Sequence, residues 1–246
     1  MTDWLKDLND TQRAAVEHTE GPLLIIAGAG SGKTRVLTYR IAYLLEVKGV
    51  PPRSILAVTF TNKAAREMRE RVTNLIGPAG EQVWVGTFHA TCVQILRRHA
   101  DRLGFPRHFL IFDTADQLAA VKETLKELNL DPKRFDPRGM LSAISAAKNE
   151  LLDPAGFTAK ATDFWERTVA RVYEGYQAKL KQNGAFDFDD LIMATVRLFR
   201  DDETVLRLYQ DRFRYLMVDE YQDTNHAQYV LVNLLAGRHR NLCVVG

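Results

Sequence analysis

The stretch LLIIAGAGSGKTRVLTYRI, beginning at Leu23, passes from an apolar run through a glycine-rich turn into a segment with helical apolar spacing. Strand, glycine turn and helix in that order are the context in which a lysine and threonine after glycines read as a triphosphate cradle. Gly30 and Gly32 permit backbone conformations that aim amide N–H groups at phosphate oxygens, and the following helix adds the positive end of its dipole. In such a loop Lys33 reaches the β and γ phosphates of ATP, and Thr34 holds Mg²⁺. The candidate cradle is Ala27, Gly28, Ala29, Gly30, Ser31, Gly32, Lys33 and Thr34. The strict form of the motif asks for glycine where this chain has Ala27.

A second chemical signature lies in FRYLMVDEYQDTN, where Asp219 and Glu220 follow an apolar run. Carboxylates at a strand end of an open α/β sheet sit where ligands converge. Asp219 would bind Mg²⁺ through water, and Glu220 would take a proton from the water attacking the γ-phosphate. An adjacent acid pair can also be a helix cap and a solvated neighbour. The nucleotide reading gains from Gln222 and Asp223 just beyond, and from the phosphate loop upstream in the same expected sheet.

Such residues need a sheet to carry them. Apolar, β-leaning runs occur at Leu23 to Ala27, Ile55 to Phe60, Val83 to Thr87, Tyr215 to Val218 and Leu242 to Val245. Helical spacing separates several of them, as at Val36, Leu37, Ile41, Leu44 and Leu45, closed by Gly49, Pro51 and Pro52. Alternation of this kind predicts a parallel α/β sheet. From about Asp113 to Asn183 the pattern is helical alone, with Asp113 as N-cap and breaks at Asp131-Pro132 and Asp136-Pro137. The expected fold is therefore α/β, with an all-helical subdomain inserted into the sheet domain.

Composition narrows the class without naming a function. The 246 residues are 46% hydrophobic and 26% charged, with 33 basic and 31 acidic side chains and a net charge of +2. That balance leaves any nucleic-acid contact to local patches. No run approaches the ~18 apolar residues of a membrane span, and the start MTDWLKDLND lacks the order of a signal peptide, so the cytosol is the default location. Cys92 and Cys243 stand alone in apolar segments and read as core residues rather than a disulfide or metal pair.

The string DEYQDTN closely resembles motif II of the UvrD/PcrA/Rep branch of superfamily 1 DNA helicases. LNDTQRAAV, AGAGSGKT, AVTFTNKAAREMRERV, VGTFHA and FDFDDLI also resemble family motifs, in the family order and over essentially the whole chain. The Ala27 variant of the phosphate loop is common there. The resemblance implies a RecA-like P-loop NTPase sheet in two parts, residues 1–110 and 186–246 (1A), around a helical subdomain 1B at 111–185. It implies that Gln12 recognises the adenine edge and that Arg35 lies beside the base. Phe60, Thr61 and Asn62 resemble motif Ia on the single-stranded DNA track, where Phe60 would stack on a base and the other two reach phosphates. The alternative for Phe60 is the last core aromatic of a strand, with a helix cap after it. Thr87, Phe88 and His89 resemble motif Ib, another DNA-facing turn, although a lone histidine after a strand is more often a core residue.

Phe186, Asp187, Phe188, Asp189 and Asp190 match a family segment, and first-turn helix stabilisation accounts for these acids. Lys148, a lone lysine on a helix, reads as solvated. By resemblance the activity is ATP-dependent 3′-to-5′ DNA unwinding, with single-stranded DNA and single-strand/duplex junctions as partners. Which repair or replication proteins join it is not readable. The family continues into a motif III and a second RecA-like domain whose arginines reach the γ-phosphate, so this chain is expected to be a fragment with most hydrolysis lost. A binding module without motor action and the helicase part of a helicase-nuclease are the alternatives. A P-loop kinase fits less well, because Glu220 is placed to activate water.

Overall fold

The computed structural model describes residues 3–28, 30 and 32–246. In chain order it contains α1 (Asp10–Glu17), β1 (Leu23–Ile25), α2 (Lys33–Glu46), β2 (Ile55–Thr59), α3 (Asn62–Ile76), β3 (Trp84–Thr87) and α4 (Phe88–His99). Next come β4 (Leu110–Ile111), α5 (Thr114–Glu127), α6 (Pro137–Asn149), α7 (Pro154–Lys160), α8 (Phe164–Gln182), β5 (Ala185–Phe186) and α9 (Phe188–Asp201). The chain continues through α10 (Glu203–Arg212), β6 (Tyr215–Val218), α11 (His226–Ala236) and β7 (Leu242–Val245).

The five apolar runs become one parallel sheet of order β1-β7-β6-β2-β3. Its register pairs Leu23 with Cys243, Met217 with Cys243, Ala57 with Met217, and Thr59 with Thr87. One face, Ile55, Ala57, Val83, Val85, Tyr215, Met217, Cys243 and Val245, packs on Leu37, Ile41 and Leu44 of α2 and Ala65, Met68 and Val72 of α3. Strand residues of the opposite parity, such as Leu56, Val58, Leu216 and Val218, are buried as well. Burial on both faces is why these strands read as continuous apolar runs rather than as alternation. Edge strand β1 is the exception, with Leu24 60% exposed, and Ile26 just beyond it is 83% exposed.

The chain divides into two compact units. The sheet unit takes residues 1–91, 202–224 and 232–246, and the helical unit takes 92–201 and 225–231. The helical unit has its own core, built from Val121 and Leu125 of α5, Met140 and Ile144 of α6, and Val172, Tyr173, Tyr176 and Leu180 of α8. Asp113 caps α5 in a reciprocal capping box with Asp116, as its position before the first helical turn predicts. The two-stranded pairing β4-β5 sets Leu110 beside Ala185 and Ile111 beside Phe186. Cys92 and Cys243 are both buried free thiols, as their apolar flanks imply.

Candidate nucleotide site and the neighbouring strand ends

Parallel strands bring all their C-terminal ends to one edge of the sheet, so the loops after β1, β6, β2 and β3 emerge together. β7 lies between β1 and β6, and it ties the phosphate loop down: Ala27 N–H donates to Gly246 O at 3.1 Å, and Gly246 N–H donates to Ile25 O at 3.0 Å. Gly246 lies close to Gln222, whose Oε1 would stand 2.9 Å from a Cβ built there.

Within the loop, Gly30 (φ 77°) and Gly32 (φ 87°) adopt the left-handed backbone that favours glycine. Gly32 is the N-cap of α2 and contributes no side chain to the first-turn amides, which stay available to an anion. Ala29 and Ser31, expected in this cradle, fall outside the described residues. Gln12 is held against this turn: a Cβ on Gly32 would lie 3.2 Å from Gln12 Nε2. Gln12 also shares a capping box with Asn9 at the start of α1.

Two clefts flank the first turns of α2. One, of about 200 Å³, is lined by Asn9, Gln12, Ala27, Lys33 and Val36 among others. The other, of about 330 Å³, is lined by Arg35, Thr38, Tyr39, Arg71, Asn74 and Leu75. The Arg35 guanidinium donates to Asp7 O at 2.9 Å and stands 5.2 Å from the Tyr39 ring centre.

Lys33 and Thr34, successive residues at the start of α2, meet the acid pair at the end of β6. Thr34 Oγ1 donates to Asp219 Oδ2 at 3.0 Å, and Lys33 Nζ stands 3.4 Å from Glu220 Oε2. Asp219 is only 4% exposed; burial raises its pKa, against the hydrogen bonds from Thr34 and from the Glu220 amide. Glu220 is lowered, first by the 2.7 Å hydrogen bond from Gln222 Nε2 and then by Lys33, so it stays anionic. Its backbone is left-handed, at φ 50° and ψ 45°, which is rare for a residue with a Cβ and concentrates at functional sites.

The Thr34–Asp219 oxygen pair suits Mg²⁺. Thr34 offers the hard oxygen this ion takes, and the Asp219 carboxylate 3.0 Å from it can accept from one of the waters the ion keeps. No cluster of three or more His, Cys, Asp or Glu among the described residues is arranged to hold a metal. An ion here would therefore complete its shell with phosphate oxygens and water, as Mg²⁺ ordinarily does.

On the β2-β3 side of the same edge, Thr59 and Thr87 are register partners, so the residues that follow them are neighbours. The Phe60 and Phe88 rings meet edge-on at 5.4 Å. Phe60 is half-buried in that pair, with part of its surface open. Thr61 Oγ1 accepts from Ala64 N–H at 3.1 Å and caps α3; Thr87 Oγ1 accepts from Ala90 N–H at 3.1 Å in the first turn of α4. Each cap uses an oxygen lone pair and not the O–H. Asn62 is exposed and His89 half-buried.

Two features escaped sequence reasoning. Arg40, 1% exposed, donates to the carbonyls of Ala15 at 2.8 Å, His18, and Thr19 at 3.3 Å, fastening the end of α1 and with it the helix of Gln12. The second overturns an expectation: Lys148 is not solvated but 1% exposed. Its ammonium lies 2.7 Å from Asp187 and 2.8 Å from Asp190. Burial opposes the Lys148 charge, but the two carboxylates outweigh it and its pKa is raised. The two acids do exchange first-turn capping bonds, as expected, with Asp190 N–H donating to Asp187 Oδ1 at 2.8 Å. They are also the counter-ions of a buried lysine. The signal was spacing: Lys148 continues the apolar stripe of Met140 and Ile144, as Arg40 continues that of Val36 and Leu37.

A parallel sheet with a glycine-capped lysine after one strand and an acid pair after another is the arrangement of a RecA-like P-loop domain. The chain belongs to the UvrD/REP helicase family, with residues 8–246 matching its N-terminal domain. It is 58% identical over 242 residues to an ATP-dependent DNA helicase PcrA of Bacillus subtilis strain 168, covering 98% of this chain and 33% of that protein. It is 57% identical over 246 residues to PcrA of Staphylococcus aureus strain Mu50, covering all of this chain and 34% of that protein. The chain thus spans about a third of the length of these relatives. No helix among the described residues is long and apolar enough to cross a membrane.

Proposed function

We propose that this chain is the ATP- and single-stranded-DNA-binding part of an ATP-dependent 3′-to-5′ DNA helicase. The observation that carries the reading is the meeting of Lys33 with Glu220 and of Thr34 with Asp219 at one sheet edge. ATP would lie along the loop from Ala27 to Thr34, with its phosphates on the α2 amides and its adenine between Gln12 and Arg35. Lys33 then exchanges Glu220 for the β and γ phosphates. That exchange leaves Glu220 able to accept a proton from the attacking water. Mg²⁺, held by Thr34 and Asp219, would neutralise charge developing on the phosphate oxygens.

Single-stranded DNA would run past the β2 and β3 ends. Phe60 would stack a base on its ring face, while Thr61, Asn62, Thr87 and His89 would offer donors to phosphates. In this reading residues 1–110 and 186–246 form the RecA-like domain and 111–185 the helical insertion. Polarity, junction preference and the cytoplasmic, nucleoid-associated location rest on family membership.

A fluorescent ATP analogue titrated with Mg²⁺ into wild-type and Lys33→Ala chains tests the site. Binding should be lost in the variant, because a phosphate group deprived of its cation loses its strongest partner. Equal affinity removes Lys33 from the site and the reading with it.

A further inference from the structure

Helix α1 carries Gln12 yet has little of its own to hold it in place. It is eight residues long, shorter than a helix that stands alone in water, and Val16 is its one buried residue. Its last turn has no basic side chain, and the carbonyls that end a helix lack partners within it. Arg40 of α2 supplies the missing charge and the missing donors. Its Nη1 donates to Ala15 O at 2.8 Å and to His18 O, and its Nη2 donates to Thr19 O at 3.3 Å. One buried cation thus meets the negative end of the α1 dipole and forks across three carbonyls.

Two further hydrogen bonds steady the joint between α1 and β1. Tyr215 Oη donates to Glu20 Oε1 at 2.7 Å, and Gly21 N–H donates to Asn241 Oδ1 at 2.8 Å. All of these residues belong to the sheet unit. Arg40 also shares α2 with Lys33, about two turns and roughly 10 Å further along. One helix therefore sets the phosphate contact at its start and the place of α1 beyond it.

We propose that Arg40 is a positioning residue for the nucleotide base, with Tyr215 as its support. It holds α1 so that Gln12 meets the base of a nucleotide whose phosphates are seated at Lys33. The inference rests on reading Gln12 as the base-recognising residue. Arg40 itself, 1% exposed, touches no nucleotide.

The test titrates two probes with Mg²⁺, ATP and inorganic triphosphate, into the 246-residue chain by calorimetry. Arg40→Lys keeps the charge and loses the fork. It should weaken ATP about tenfold and inorganic triphosphate less than about twofold, because only the base contact is misplaced. Gln12→Ala should weaken ATP by a similar factor. Adding Arg40→Lys to it should cost less than about twofold more, since residues that act through one another are not additive. Tyr215→Phe, which leaves the buried cation alone, should lower ATP affinity about threefold and leave inorganic triphosphate unchanged. Equal losses for both probes, additive losses in the double variant, or wild-type ATP affinity in a cooperatively melting Arg40→Lys chain would overturn the proposal. If Arg40→Lys does not fold, Tyr215→Phe decides in its place, and wild-type ATP affinity there overturns it. If the wild-type chain binds both probes equally, the base reading of Gln12 fails. Hydrogen exchange across residues 10–18, expected to run about fivefold faster in Arg40→Lys, then judges the hold on α1 separately.

Discussion

Replacing Lys148 with methionine removes the single cation from a group whose side chains are almost closed to solvent: Lys148 0%, Asp187 2% and Asp190 6% exposed. Two carboxylates would lose ion pairs of 2.7 and 2.8 Å at once, keeping only Tyr176 Oη on Asp187, Gln177 Nε2 on Asp190 and their mutual capping bonds. Breaking one buried pair from one side costs about 3 to 5 kcal/mol, and two stranded acids put Lys148→Met at the upper end of that range. Against a typical domain stability of about 5 to 15 kcal/mol this is a large loss. Acidity should then partly rescue the variant. Burial pushes the Asp190 carboxyl up to about 6, with Lys148 pulling it down and Asp187 pushing it further up. A carboxyl raised in the folded state contributes stability that is full below its unfolded value of about 4 and is lost as pH rises through the folded value. Without Lys148 the folded value climbs further, so the deficit should be largest at pH 8 and shrink towards pH 5. Urea denaturation of both proteins at the two pH values measures it. A deficit under about 1 kcal/mol at pH 8, or one that does not change with pH, would refute the account of a desolvated, mutually dependent cluster.

Further outcomes follow from the nucleotide edge. Glu220→Gln in a full-length helicase should keep Mg²⁺-ATP binding and lower DNA-stimulated turnover by about two decades or more, checked by phosphate release beside a binding titration. Phe60→Ala should weaken single-stranded DNA binding by about 1 to 3 kcal/mol, read by fluorescence anisotropy. It should also lower the melting temperature, because the ring is packed on Phe88, and Phe60→Leu should recover the stability but not the DNA affinity. Because the relatives are about three times as long, the 246-residue chain alone should neither separate a 3′-tailed duplex nor show strong DNA-stimulated hydrolysis. A supplied arginine finger is worth roughly 10³ to 10⁵ in rate. Robust unwinding by the chain, absent from a matched Lys33→Ala preparation, would contradict that expectation.

The sheet was legible because its residues obey a local rule. Five apolar runs bounded by turns became five strands, and Tyr215–Val218 and Leu242–Val245 match their runs residue for residue. β1 stops at Ile25 rather than Ala27, because the backbone leaves the sheet to form the glycine turn. Lys33, Thr34, Asp219 and Glu220 were readable as a group since each sits in a short motif with a fixed neighbour. Lys148, Asp187, Asp190 and Arg40 were not, because a buried charge becomes intelligible only once its partners arrive from elsewhere in the chain, carboxylates for Lys148 and backbone carbonyls for Arg40. Asn149 and Asn225 are further from legibility still. Nothing in either local sequence announces a hydrogen bond between residues so distant along the chain.

Within the described sheet β1 pairs only with β7, Leu23 beside Cys243 and Ile25 beside Val245. On a ribosome adding roughly 5 to 20 residues per second, residues 23–25 therefore wait on the order of ten to forty seconds for their neighbour to be made. The strand that leads into Lys33 is synthesised long before its neighbour and is among the last to gain its place. During that interval Leu24, on the strand, and Ile26, just beyond it, which stay 60% and 83% exposed even after folding, have no neighbouring strand beside them. Unpaired apolar edges of this kind seek other chains. The nascent protein should thus have greatest need of a chaperone while its helical insertion is already compact, and it should acquire ATP affinity only after β7 slides between β1 and β6.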